Sequence, residues 1–140
     1  MKLITYLTFA GNCEEAMNFY KEALGAEILL FSRMGDSPME IPENLKGKIM
    51  HGRMKIGENE LYMSDTFDPS SLSQGNNVSL SIQVDDTARL EKLFNSLSEG
   101  GKVTMPLADA FWGARFGMFV DKFGIHWMFN CELKKEPALN

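Results

Sequence analysis

The chain says the same thing twice, and this repeat constrains its fold more than any other feature. Ala16, Phe19, Tyr20, Ala23 and Leu24 recur at helical spacing and make one apolar face. Leu90, Leu93, Phe94 and Leu97 do the same in the second half. Phe19 aligns with Leu93 and Tyr20 with Phe94 at an offset of 74 residues (93 − 19, 94 − 20). Ala16 and Ala23 align with Leu90 and Leu97 at that same offset. An apolar, β-prone run precedes each helix. A glycine stop follows it, Gly25 in one half and Gly100-Gly101 in the other, and then come three more strand signals. The pattern is βαβββ, twice. One helix covers only one face of four strands, so the other face curves around a cavity or packs on its counterpart. The expected fold class is α+β, with tandem βαβββ units forming a curved mixed sheet around a cavity.

Local signals place the elements. Leu3–Ala10 is expected to be a strand. Asn12 caps the first helix, with Glu15 completing a capping box. Strands follow at Ala26–Arg33, Lys48–Ile56 and Glu60–Asp65, the first two separated by a long loop, Met34–Gly47, with two glycines and two prolines. Asp68–Asn77 has linker composition. Val78–Val84 alternates cleanly, and Asp85-Asp86 opens the second helix. A short strand, Lys102–Met105, and a loop, Pro106–Ala110, lead into a hairpin spanning Phe111–Asn130 that turns at Asp121–Gly124. The organisation is a single domain over 1–140, with units at 3–66 and 77–132 joined by a linker at 67–76. The charged tail after Glu132 is expected to fray.

A chain of 140 residues buries enough surface to need no disulfide or metal staple. Its net charge of −5 argues against a broad nucleic-acid surface. Cys13 and Cys131 lack metal-ligand spacing and fit a reducing compartment. Cys13 falls at a helix start, which can activate a thiol, but no histidine lies nearby in sequence and a structural role is expected. Met1–Ala10 is a poor signal peptide, since Thr5 and Thr8 interrupt its apolar run, and no stretch has membrane-spanning length. A cytoplasmic protein with no membrane partner is expected.

Several motifs in order along the chain resemble one family. They are Phe19-Tyr20 with Leu24-Gly25-Ala26, His51 before the Ile56-Gly57 turn, Phe111-Trp112-Gly113 with Arg115 and Gly117, and Asp121-Lys122-Phe123-Gly124 followed by Trp127. Together with the duplicated unit they resemble the vicinal oxygen chelate superfamily of glyoxalases, extradiol dioxygenases, fosfomycin-resistance enzymes and bleomycin-binding proteins, and within it the PhnB-like branch. That resemblance implies metal ligands on the first and last strands of each unit. The 74-residue offset puts Thr5 and Ser79 at the first-strand positions. Met128 stands at the last-strand position of the second unit, and Leu61–Met63 holds no acid. None is a good hard-metal ligand. No metal and no cofactor are expected. There is no phosphate loop, no nucleophile elbow and no glycine-rich methyltransferase turn.

The function expected is therefore binding of a small organic ligand in the sheet cavity. The expected lining is Thr5, His51, Arg53, Ser79, Trp112, Arg115 and Met128. Trp112 and Arg115 admit two accounts. They form one wall that recognises a flat or anionic ligand, or Trp112 plugs the core while Arg115 pairs with Asp109 or Asp121. Two further functions stay open: a superfamily enzyme with an atypical metal site at His51 or His126, and a drug-sequestering resistance protein. Family members commonly pair, so a homodimer is expected.

Overall fold

The computed structural model describes residues 1–133. The tail read as frayed lies almost wholly outside them. The chain divides into two compact units, Met1–Ser73 and a second beginning at Gln74. Among the described residues are two α-helices and eight strands, in two mixed four-stranded sheets.

In the first unit β1 (Thr5–Phe9) leads to α1 (Cys13–Leu24), then β2 (Glu27–Arg33), β3 (Ile49–Ile56) and β4 (Asn59–Asp65). The sheet order is β1-β4-β3-β2, with β1 parallel to β4 and the rest antiparallel. The helix buries Cys13, Ala16, Met17, Tyr20 and Ala23 and ends at Gly25 in the left-handed conformation, φ 65°. Its partners are Met54, Leu61 and Met63, all buried. At Gly52 an added Cβ would meet the Met17 side chain at 2.9 Å, so that side chain of the helix lies directly on the strand backbone.

The helix start differs from the expected capping box. Asn12 makes no side-chain cap. Instead Asp65, at the end of β4, reaches under the helix. The Gly11 and Cys13 N–H groups donate to its Oδ1, and the Ile49 N–H donates to Oδ2, each at 2.9 Å. A carboxylate on the strand paired with β1 fills the role assigned to a neighbour, while Asn12 stays exposed.

The second unit repeats the plan: β5 (Leu80–Gln83), α2 (Thr87–Ser98), β6 (Lys102–Asp109), β7 (Ala114–Val120) and β8 (His126–Glu132), in sheet order β5-β8-β7-β6. Here the side-chain cap does form: Asp86 accepts from the Ala88 N–H at 3.1 Å. Leu90, Phe94 and Leu97 are buried, and Phe94 meets Phe119 and Phe129 edge-on at 4.9 and 5.7 Å. The segment expected as a loop at Pro106–Ala110 is mostly strand. The outermost strand β6 carries Pro106 inside a register shift between Met105 and Ala108, where a missing N–H disturbs no regular ladder. The Asp121–Gly124 turn is tied down from beneath. Buried Asp121 accepts from the Phe123 and Ile125 N–H groups and from the Trp127 indole N–H at 2.8, 3.0 and 2.9 Å, which fixes Trp127 in the core as expected.

Candidate functional site

Strand alternation sorts every expected site residue onto one of two faces. In the first unit, the register Thr5↔Leu61 puts Thr5 on the α1 side with buried Leu61. Tyr6, one residue on, takes the opposite face with Tyr62. His51 and Arg53 alternate with buried Gly52 and Met54 and share that opposite face. Thr5 is therefore not beside His51, and Tyr6 is. The reason is a one-residue difference between the halves. The helices align at an offset of 74, but Thr5 shares its face with Leu80 (80 − 5 = 75), since Leu80 pairs with buried Trp127. A slip of one residue turns a strand's side chains over.

Four side chains converge on the first unit's face away from α1. The Tyr6 hydroxyl and His51 Nδ1 are 3.1 Å apart, and the two rings stack with centroids at 5.7 Å. The Arg53 Nε–H donates to His51 Nε2 at 3.1 Å. The Arg53 guanidinium lies 4.6 Å from the centroid of Tyr62, whose ring also meets His51 edge-on at 5.3 Å. Because an arginine Nε can only donate, His51 Nε2 must accept, and the ring is neutral with its proton on Nδ1. Partial burial, and after it the Arg53 charge, hold the His51 pKa below the ordinary imidazole value, in agreement with that tautomer. Arg53 makes no ion pair among the described residues. Glu60, on the same face, is engaged by Lys2 at 2.6 Å. The other arginines with structural roles are saturated: Arg33 holds Glu14 at 2.8 Å, and Arg115 holds Glu91 and Asp109 at 2.8 and 2.9 Å.

Arg115 is thus corrected in the second unit. Its register with buried Cys131 puts it on the α2 side, where it bridges Glu91 of that helix to Asp109. The ion-pair account holds for it. Trp112 goes the other way. It is 55% exposed at the β6–β7 turn and packs on Phe116 at 5.6 Å, so it is no core plug. Phe116 is in register with Asn130, and Met118 with Met128, on the face away from α2. Ser79 just precedes β5 and by alternation shares the side of Ser81, which pairs with Met128. Trp112 and Arg115 do not form one wall. A separate polar cleft of about 780 Å³ lies at the end of β5 and β8, lined by Gln83, Asp85, Arg89, Asn130 and Glu132 among others.

Tyr6 and Tyr62 were missed in the sequence. The signal for Tyr62 is its place between Leu61 and Met63, both buried, which sends its ring to the other face. Tyr6 was hidden by the offset. As for metal, the residues do not fit one. Among the described residues no three His, Cys, Asp or Glu side chains gather as a ligand set. The strands offer phenols, hydroxyls and a thioether in their place.

A family model for the Glyoxalase/Bleomycin resistance protein/Dioxygenase superfamily matches residues 2–129, and the chain belongs to that superfamily. Among its relatives, Protein YjdN of Escherichia coli K12 is 33% identical over 99% of both chains. Protein PA1353 of Pseudomonas aeruginosa has the same fold, with a TM-score of 0.84 at 44% identity over 94% of this chain and 98% of that one. The PhnB protein of Bacillus cereus superposes with a TM-score of 0.81 at 26% identity over 94% and 99%. No helix among the described residues is long and apolar enough to cross a membrane.

Proposed function

We propose that this chain is a PhnB-like member of its superfamily that binds a small organic ligand on a sheet face opposite a helix, without the standard metal site. The residues assigned to binding are His51 and Arg53 with Tyr6 and Tyr62 in the first unit; Ser79, Trp112 and Met128 are the second unit's own candidates; Thr5 and Arg115 fall away. The observation that carries this reading is Arg53. A guanidinium laid on Tyr62, steered by a neutral histidine and in no ion-pair contact among the described residues, with nearby Glu60 held by Lys2, has the form of a side chain held ready for a ligand. The likeness to the PhnB protein of Bacillus cereus supports the branch. The working form is a cytoplasmic homodimer in this reading, since the exposed edge residues Leu29, Leu30 and Phe31 are a surface that soluble chains ordinarily cover.

The test is native mass spectrometry and elemental analysis of freshly purified protein, followed by thermal-shift screening of small organic acids, amides and amines. Ligands that raise the melting temperature of the native chain and not of Arg53→Met are expected. One metal per chain, lost on His51→Ala, would instead make it a metal-dependent enzyme. Stabilisation confined to bulky basic drugs would make it a sequestering protein.

A further inference from the structure

We infer that the Tyr6–His51–Arg53–Tyr62 face is a site for an anion on a planar body, a carboxylate or phosphonate, taken by the Arg53 fork and the Tyr6 hydroxyl. This rests on the binding reading above and names its ligand class. The argument follows the protons. Arg53 Nε–H donates to His51 Nε2 at 3.1 Å, so the His51 proton sits on Nδ1. That N–H points at the Tyr6 oxygen, 3.1 Å away. A phenol that accepts from the imidazole keeps its own hydrogen for an outside partner. The chain of donors runs one way, from Arg53 through His51 to Tyr6, and ends outward. Tyr6 is 47% exposed, so that end is reachable.

The Arg53 terminal N–H groups and the Tyr6 O–H then both offer hydrogen outward. Arg53 retains its two terminal nitrogens, and no carboxylate of the described residues pairs with them. A guanidinium so placed matches the two oxygens of a carboxylate or phosphonate in a parallel, bidentate pair. The groups facing His51 from the neighbouring strands are Tyr6 on β1, Tyr62 on β4 and Ser32 on β2; none is a competing acid. The nearest carboxylate on this face, Glu60, is held by Lys2. A neutral amide offers one acceptor oxygen and no charge, so it binds more weakly than an anion, and an ammonium is repelled by the Arg53 charge. The rings of Tyr6 and Tyr62, set edge to face, supply apolar surface for the body of the ligand. His51 is a positioning residue here: it fixes which way Tyr6 donates.

The experiment uses the full chain labelled with nitrogen-15 and four probes: benzoate, phenylphosphonate, benzamide and benzylamine. Side-chain nitrogen spectra follow Arg53 Nε and the His51 ring during each titration. Benzoate or phenylphosphonate is expected to shift both signals, benzamide only weakly and benzylamine not at all. The free protein is expected to show His51 protonated on Nδ1 alone. Tyr6→Phe, which keeps the ring, should weaken the anion about tenfold, and Arg53→Met should abolish its binding. Should Arg53→Met fail to fold, Tyr6→Phe and the tautomer still decide. Benzamide or benzylamine binding here as tightly as the anions, anions binding only elsewhere, or a His51 proton on Nε2 overturns the anion site while leaving ligand binding standing. Silence of this face toward all four probes overturns both.

Discussion

Replacing Asp65 should do more damage than replacing any surface carboxylate of the chain. Its side chain is 4% exposed and takes three backbone N–H groups at 2.9 Å: Gly11 and Cys13 at the start of α1, and Ile49 at the start of β3. In Asp65→Ala all three lose their acceptor. Gly11 is only part-buried and can find water, but Cys13 and Ile49 are buried. A buried N–H left unsatisfied costs about 1–3 kcal/mol, so the two buried groups cost about 2–6 kcal/mol together, with the third adding little. That is a large share of the roughly 5–15 kcal/mol that holds a domain of this size. Asp65→Asn keeps one acceptor oxygen and turns an N–H₂ toward the remaining donors, for a loss of about 2–4 kcal/mol. Asn12→Ala is the control. A working cap would cost about 1 kcal/mol on removal, but the Asn12 side chain caps nothing, and less than about 0.5 kcal/mol is expected for a surface change. Urea unfolding followed by far-ultraviolet circular dichroism measures all three. Amide exchange should speed up at Gly11, Cys13 and Ile49 in Asp65→Asn first. Equal costs for Asn12→Ala and Asp65→Asn, or unchanged exchange at those three amides, would refute the reasoning.

Trp112→Ala should cost under about 1.5 kcal/mol by thermal unfolding, far below the roughly 3–5 kcal/mol of a core tryptophan, because its ring is half exposed. Arg115→Ala should lower the melting temperature only slightly, because its two ion pairs are exposed, and leave ligand-induced shifts intact. Cys13 should resist thiol reagents at neutral pH until the chain unfolds, since burial first, then Asp65 and Glu14, push its thiol well above the usual range; rapid modification of native protein counts against this. His51 should make stability fall on acidification. Its folded pKa lies below the unfolded value, so the unfolded chain binds the proton first and stability drops from about pH 6.5 downward until the folded histidine also titrates. His51→Gln should flatten that part of a pH–melting curve, above the carboxylate range.

The fold was legible because both halves repeat signals of short range. Helical spacing marked the α1 and α2 faces, and the glycines marked where the helices stop. The offset between helices is uniform over Ala16–Ala23 and Leu90–Leu97, and burial agrees with it. What could not be read was phase. Each first strand is short, and carrying the helix offset back across a turn allowed an error of one residue. In a helix such an error rotates a face by about a quarter turn; in a strand it exchanges inside for outside. Thr5 was placed for Tyr6 for that reason alone. Arg115 failed similarly, because its side follows from pairing with Cys131 rather than from its distance to Trp112. Asp65 as a helix cap was invisible for a different reason. Its partners lie 54, 52 and 16 residues away, beyond any local rule.

The ring that Asp121 holds through the indole of Trp127 has a use in the laboratory. Both tryptophans, Trp112 and Trp127, belong to the second unit, and all three tyrosines, Tyr6, Tyr20 and Tyr62, to the first. The halves therefore carry different intrinsic chromophores. Excitation at the red edge of the indole band reports on one half alone, with Trp127 sensing the core and Trp112 the solvent-facing turn. The tyrosine near-ultraviolet dichroism reports on the other. Whether two copies of one architectural plan melt as a single cooperative body or one after the other can be watched in the native chain, with no label attached and no residue changed.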